Sequence, residues 1–484
     1  MTSTFTNVSY WANAYSLPAD MSHPVTIGHR SYGGGTVTAG KYIYYADTGP
    51  EGSGYFIRYD VTSELPWNLG SSWEEVSLAS INVCSKTIWE YSGAFFDGRY
   101  IYYSPRGYDS HYAIYLHKQE LVRYDTTKSF TDPDSWETIL VETIVPHSDC
   151  LQNGWGAIDP GVFMGVTVNS SYAYYAPYGC ARFVRYNKSQ PFTSVGSWET
   201  VDHRTIGLDA GWGSLITWGP ISMGICHDNR YVYYGAYGCT SIIVAIPFFR
   251  YDTQGSFTDP DSWEKMDKAN VLPQTVDWRQ RRVLGCIFDG RYIHYSTDGY
   301  SNVITRFDTT KSFTDPDSWE TITKVSVGVG TGFEWSDVQS SFTAYKYPYL
   351  YGTCGSQDPS IAGLQTRYNT TLPYSSADSW ETMQARFVGD PSDHYTVLAP
   401  STTNNVYWDV GNIGTQYLRF DGPLDPPPIC WNYTAKYKGS NKLFKTSGPG
   451  AFPRKVRVPG NVDKSSGKMI DDGSLIDPRK YEVK

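Results

Sequence analysis

The chain has 484 residues, 18% of them charged and 16% aromatic, with 41 Tyr, 20 Phe and 16 Trp. Fewer charges than the ~25% of an average soluble protein, joined to so many rings, exclude a disordered or low-complexity chain and predict a large aromatic core. The net charge of -9 argues against a general nucleic-acid binder, whose surface is basic, and no apolar run approaches the ~18 residues that span a bilayer.

Residues 1–20 hold no basic residue and no apolar stretch, so they do not read as a signal peptide. From there the chain repeats itself. Tyr-rich strands read KYIYY at 41–45, RYIYY at 99–103, SYAYY at 171–175, RYVYY at 230–234 and RYIHY at 291–295, with weaker copies at 348–352 and 405–408. Each is followed by an Arg-aromatic-Asp/Asn triplet, whose arginines are Arg58, Arg123, Arg185, Arg250, Arg306, Arg367 and Arg419. After the first six comes Ser-Trp-Glu, with its Trp at 73, 136, 198, 263, 319 and 380. The Trp lies 14 residues beyond the triplet aromatic in the first copy and 12 in the other five, a constancy that predicts a hairpin of fixed length. A further strand precedes each Tyr-rich one, as GAFFDG at 93–98 and GCIFDG at 285–290. Asp-Gly between strands predicts a tight type I′ turn, with positive φ at both central residues.

Each unit is thus four strands, A to D, and seven units of ~60 residues predict an all-β, seven-bladed β-propeller of four-stranded blades over 1–421. The seventh triplet has no Ser-Trp-Glu after it, and Ser9-Tyr10-Trp11 offers the missing piece. Residues 1–14 are therefore expected to be the closing strand of blade seven, removing an open edge. The Tyr-Asp that ends one strand and the Trp-Glu that opens the next resemble the kelch-type propeller repeat. The double glycine that kelch repeats carry after strand B is absent here, and the C–D loop is longer. The resemblance implies the propeller superfold and no particular function.

In a propeller the D–A and B–C connections share one end of the ring. The D–A loops are the long, non-repeating parts of this chain, and variable loops on a regular scaffold are where binding usually sits. Their aromatic and acidic residues, Trp89, Glu90, Trp155, Asp159, Trp218, Asp277, Trp278, Trp335 and Asp337, are the candidate ligand-binding set. Rings stack on sugar C–H faces or cations while carboxylates accept from hydroxyls. The competing reading is that these Trp pack between blades. His23, His29, His111 and His117 show no metal-ligand spacing, no catalytic motif stands out, and neither metal nor cofactor is expected. Cys226 and Cys286 read as matching, buried positions in strand A of adjacent units. Seven copies of the triplet arginine point to a structural role.

Beyond Asp421 the repeat stops at a Pro-rich linker, and 422–484 read as an extended irregular tail. Residues 431–484 carry +7, leaving -16 on the rest. Trp431, Tyr433, Tyr437, Phe444 and Phe452 are its expected anchors. The function expected is a non-enzymatic structural or interaction protein, displayed on a larger assembly such as a virion or surface particle and joined to its protein subunits by this tail. The rival expectation is a carbohydrate-binding protein or glycan-active enzyme working at the Trp-bearing end.

Overall fold

The computed structural model describes residues 11–14, 36–46, 55–63, 73–84, 91–105, 119–145, 152–153, 156–157, 163–177, 182–208, 222–236, 247–272, 283–297, 303–329, 340–346, 348–354, 364–384, 396–397, 401–402, 406–411, 416–420, 431–436, 443–448, 456–457 and 475–476. The chain divides into two compact units, Met1–Gly422 and Pro423–Lys484.

The first unit is a β-propeller. Among the described residues it has six sheets of four antiparallel strands, each in chain order A-B-C-D. Blade 1 runs from Thr36–Ala39 to Trp73–Ser77, blade 2 from Tyr91–Phe96 to Trp136–Leu140 and blade 3 from Phe163–Val168 to Trp198–Asp202. Blade 4 runs from Ser222–His227 to Trp263–Met266, blade 5 from Val283–Phe288 to Trp319–Thr323 and blade 6 from Ser340–Lys346 to Trp380–Gln384. The A strands of consecutive blades lie side by side at the centre.

The expectation of seven four-stranded blades is corrected to six. The residues after blade 6 do not make a seventh copy: they form a five-stranded sheet in which Thr396–Val397 and Ser401–Thr402 both pair with Val406–Gly411. The sequence puts Pro400, which has no N–H to give a ladder, between those two pieces. The N-terminal Trp11–Ala14 belongs to this sheet, with Trp11 opposite Phe420 and Ala14 opposite Tyr417. The second unit corrects the expectation of an irregular tail. Trp431–Lys436 pairs antiparallel with Leu443–Gly448, and Val456–Arg457 with Leu475–Ile476. Trp, Tyr, Thr, Leu and Phe in these runs favour strands, and Gly439-Ser440-Asn441 between them are turn formers.

Strand alternation explains the aromatic density. Successive side chains of each Tyr-rich strand face opposite neighbours. The fourth residue of the motif faces the following blade: Tyr102 packs on Tyr186 and Phe192, and Tyr174 on Tyr251 and Phe257. The next residue faces the preceding blade, so Tyr103 meets Phe56 at 4.6 Å between ring centroids, Tyr234 meets Phe183 at 4.9 Å and Tyr295 meets Phe248 at 4.6 Å. Each Ser-Trp-Glu Trp closes its seam, as Trp136 against Phe56 and Trp263 against Phe183. Burying one such ring is worth about 1.5–3 kcal/mol, so the seams supply much of the stability.

The fixed C–D spacing has a hydrogen-bonded cause. In blade 2 the Asp132 carboxylate accepts from Asp134 N at the start of the 3-10 turn Pro133–Ser135. Ser135 Oγ donates to Ser129 O at 2.6 Å and Trp136 Nε1 to Phe130 O at 2.8 Å. The Trp bond recurs at Trp198, Trp263, Trp319 and Trp380. The A–B turns differ from the type I′ expectation. Gly98 and Gly290 have φ of 102°, but Asp97 and Asp289 stay outside the left-handed region. Their carboxylates instead accept from the next N–H groups, Arg99 and Tyr100 in one case and Arg291 and Tyr292 in the other.

At the centre the backbones nearly touch. A Cβ on Gly93 would stand 2.8 Å from Gly165 Cα, and one on Gly224 would stand 2.3 Å from Gly285 Cα. These glycines lie at the register shifts of their A strands. Gly224→Ala is expected to cost about 3 kcal/mol by overpacking, whereas Gly196→Ala, with only Ser194 Oγ at 3.9 Å, is expected to leave thermal unfolding nearly unchanged. Equal melting of the two variants would remove the close-contact account.

Candidate binding face

The two ends of the propeller differ in chemistry. The triplet arginines and the A–B and C–D turns are saturated with repeating partners. In blades 1 to 6 the triplet Arg reaches the Glu of Ser-Trp-Glu on its own blade, as Arg123 to Glu137 at 2.6 Å, Arg185 to Glu199 at 2.7 Å and Arg306 to Glu320 at 2.6 Å. Four of these arginines also donate to the triplet Tyr hydroxyl of the next blade: Arg58 to Tyr124 at 3.3 Å, Arg123 to Tyr186 at 2.9 Å, Arg185 to Tyr251 at 2.9 Å and Arg306 to Tyr368 at 3.2 Å. That hydroxyl donates in turn to the carbonyl four residues on, as Tyr124 to Lys128 O and Tyr251 to Gly255 O. Rings complete the sandwich, Arg185 lying 4.0 Å from the Tyr172 centroid and 4.5 Å from that of Phe257. The Arg–Glu pairs and the aromatic burial together make these arginines structural.

The triplet acids are used as well. Arg99, Arg230 and Arg291 pair with Asp125, Asp252 and Asp308, each at 2.7 Å. Burial works to raise the Asp125 pKa, but hydrogen bonds from Arg99 and Thr127 bring it down to about 2. Asp308 is held at about 2 in the same way by Arg291 and Thr310.

Of the five seams between blades 1 and 6, one lacks a part. At the blade 4–5 boundary the triplet aromatic is Phe307, so Arg250 lies 5.8 Å from the centroid of a ring that carries no hydroxyl. Phe307→Tyr is expected to raise stability by about 1 kcal/mol, and Tyr251→Phe to lower it by about 1–2 kcal/mol. Chemical denaturation of both variants checks the pair. Stabilisation by the second or loss in the first would show that the hydroxyl has no such role.

Another seam carries a titratable substitute. His294 stands where other blades have Tyr44, Tyr102, Tyr174, Tyr233 and Tyr351. It is fully buried, and its Nε2 lies 2.8 Å from Asp289 Oδ2, repeating the bonds from Tyr102 to Asp97 and from Tyr233 to Asp228. Burial holds its pKa below 6.5, with Asp289 opposing and Arg306 adding to the shift. Below pH 6.5 the unfolded chain takes up a proton that the folded seam resists. The stabilisation is therefore complete above that pH and is lost as pH falls through the folded value. His294→Tyr is expected to flatten this part of the stability curve. Melting of wild type and variant at about pH 5 to 8 measures the difference, and parallel curves would exclude it.

At the D–A end the chemistry does not repeat. The position five residues after the strand-D Trp is buried in blades 1 to 5, where it is described, yet it reads Leu78, Val141, His203, Lys268 and Lys324, none more than 5% exposed. Three adjacent blades thus bury basic groups where two bury aliphatic ones. Burying a charge is costly unless it is compensated, so this is a local departure from the repeat. Lys268 Nζ lies 5.3 Å from the Phe248 centroid. On blade 2 the same end holds Gln119, whose carboxamide is buried with no hydrogen-bond partner among the described residues, and Tyr91, whose hydroxyl donates to Glu120 O at 3.2 Å. Desolvation and the nearby Glu120 carboxylate and Cys84 thiol push the Tyr91 pKa well up. The sequence reading missed this set, although aligning the repeats on their Trp exposes it.

The nine candidate ligand residues, Trp89, Glu90, Trp155, Asp159, Trp218, Asp277, Trp278, Trp335 and Asp337, lie outside the described residues, as do His23, His29, His111 and His117. Of the tail anchors, Trp431 and Tyr433 fall on one strand of the second unit, in register with Gly448 and Thr446, and Phe444 falls opposite Ala435. Tyr437 and Phe452 lie outside the described residues. Among the described residues no group of three or more His, Cys, Asp or Glu could hold a metal ion, and no described helix is long and apolar enough to cross a membrane.

No family model and no curated protein matches the sequence, so the kelch resemblance is carried no further. Among solved structures the chain is similar to the β-propeller domain of Cps50 (Swd1) from Myceliophteria thermophila, at 8% identity over 82% of this chain and 99% of that one, with a TM-score of 0.46. It is also similar to a chain of the mitotic checkpoint complex, at 10% identity over 83% and 94% of the two chains, with a TM-score of 0.44. Likenesses at this level carry no argument about ligand or partner.

Proposed function

We propose that this protein is an interaction scaffold: a propeller that offers its D–A end to a protein partner, with residues 423–484 as a second attachment to a larger assembly. The observation that carries the reading is the contrast between the two ends. One end spends its charges on repeating internal ion pairs. The other departs from the repeat at His203, Lys268 and Lys324, which lead in sequence into the long variable D–A connections. Non-repeating polar groups on a repeating frame are the pattern expected where selection acts on recognition rather than on packing. The +7 charge of residues 431–484 adds a segment suited to an acidic surface, and its strand residues Trp431, Tyr433 and Phe444 offer apolar anchors worth about 1.5–3 kcal/mol each when buried.

The test compares the full chain with residues 1–422 for melting and for incorporation into the native assembly isolated with the full-length protein. The shortened chain is expected to melt as the propeller does and to stay out of the assembly. Undiminished incorporation would overturn the attachment role.

A further inference from the structure

We propose that Cys226 and Cys286 form a modification site, a dithiol that closes into a disulfide across the seam between blades 4 and 5. Their placement comes from register. Cys226 lies opposite Tyr233 and Cys286 opposite Tyr295. Counted from Gly224 and Gly285 the two cysteines are therefore one residue out of step, which corrects their reading as matching positions. Being out of step is what brings them together. Tyr233 faces blade 5, where it packs on Phe307 and Phe313, while Tyr295 faces blade 4 and packs on Phe248. A residue paired across an antiparallel ladder shares its partner's face, so the two cysteines point at each other.

The backbone contact between Gly224 and Gly285 holds the two A strands close. Both thiols are free and buried in one apolar cluster with Met266, Val283 and Ile293. The Cys286 thiol donates to Tyr233 O at 3.6 Å, the carbonyl of the residue opposite Cys226. The corresponding facing pairs at the three preceding seams contain no cysteine: Val37 with Ala94, Phe95 with Val166 and Thr167 with Ile225. Two cysteines that meet at only one of these seams, where the hydroxyl of the Arg–Tyr contact is also missing, are placed for covalent closure.

The chemistry is exchange with a small disulfide such as oxidised glutathione. One cysteine thiolate attacks it, forming a mixed disulfide and releasing one small thiol. The second cysteine then attacks the protein-bound sulfur, forming the Cys226–Cys286 bond and releasing the other thiol. The protein loses two protons and two electrons, and the small disulfide gains them as two thiols. Burial pushes the Cys226 thiol well up, so exchange is slow while the seam is shut and proceeds when it opens.

The full-length protein should be held just below its melting temperature in oxidised or reduced glutathione, then quenched with acid and mapped without reduction. The oxidised sample is expected to contain a peptide joining residues 226 and 286, two hydrogens lighter than the separate thiols, and to melt at a higher temperature than the reduced sample. Cys226→Val and Cys286→Ala, the residues found at these positions in blades 1 and 2, are each expected to abolish that difference. A map in which both residues stay unlinked after oxidation overturns the proposal. So does an oxidation-dependent melting shift that survives both substitutions.

Discussion

Everything regular in this protein depends on one buried guanidinium per blade. The triplet arginine is anchored to its own outer strand by a carboxylate and reaches the neighbouring blade through a tyrosine hydroxyl and aromatic rings. A cation of this kind could not remain in an aromatic seam without compensation. The Glu of Ser-Trp-Glu supplies the counter-charge, and the hydroxyl is itself fixed by the turn that follows it. Strand C, strand D and the next blade's turn therefore have to be correct together, which accounts for the common 12-residue spacing between triplet aromatic and Trp in blades 2 to 6.

This dependence also explains how much was legible in the sequence. The four-strand unit could be read because Arg58, Tyr59 and Trp73 recur as a set, and a repeat constrained at three points advertises its architecture. The same habit of reading misled at the end of the chain. Arg419-Phe420-Asp421 suggested one more equal blade, whereas the strands before it break into the short pieces Thr396–Val397 and Ser401–Thr402. Beside Arg419 the outer strand comes not from a following Ser-Trp-Glu but from the N-terminal Trp11–Ala14. The Asp-Gly turns were misjudged for a related reason. Composition named the residues, but the Asp97 carboxylate caps two N–H groups, and that favours a conformation which the dipeptide alone does not reveal.

The candidate face was less legible, because recognition lives in departures from a repeat and not in the repeat. His203, Lys268 and Lys324 look unremarkable one at a time. They stand out only against Leu78 and Val141 at the same offset, and only once that offset is known to be buried. The cysteines pose the same difficulty on a smaller scale. A shift of one residue along a strand is nearly invisible in sequence, yet it turns a side chain from one neighbouring blade to the other.

Seams built to one plan need not be equally strong, and Phe307 makes them unequal. Where Tyr124, Tyr186, Tyr251 and Tyr368 tie adjacent blades by a charged hydrogen bond, the boundary between blades 4 and 5 relies on rings, the Arg250 ion pair staying within its own blade. Among the seams of blades 1 to 6 this one has the fewest charged ties, and a ring under strain parts first where its ties are fewest. Thermal breathing in this propeller is thereby given a preferred gate, and the sequence of subglobal openings starts from a defined place on the circumference instead of being shared evenly around it.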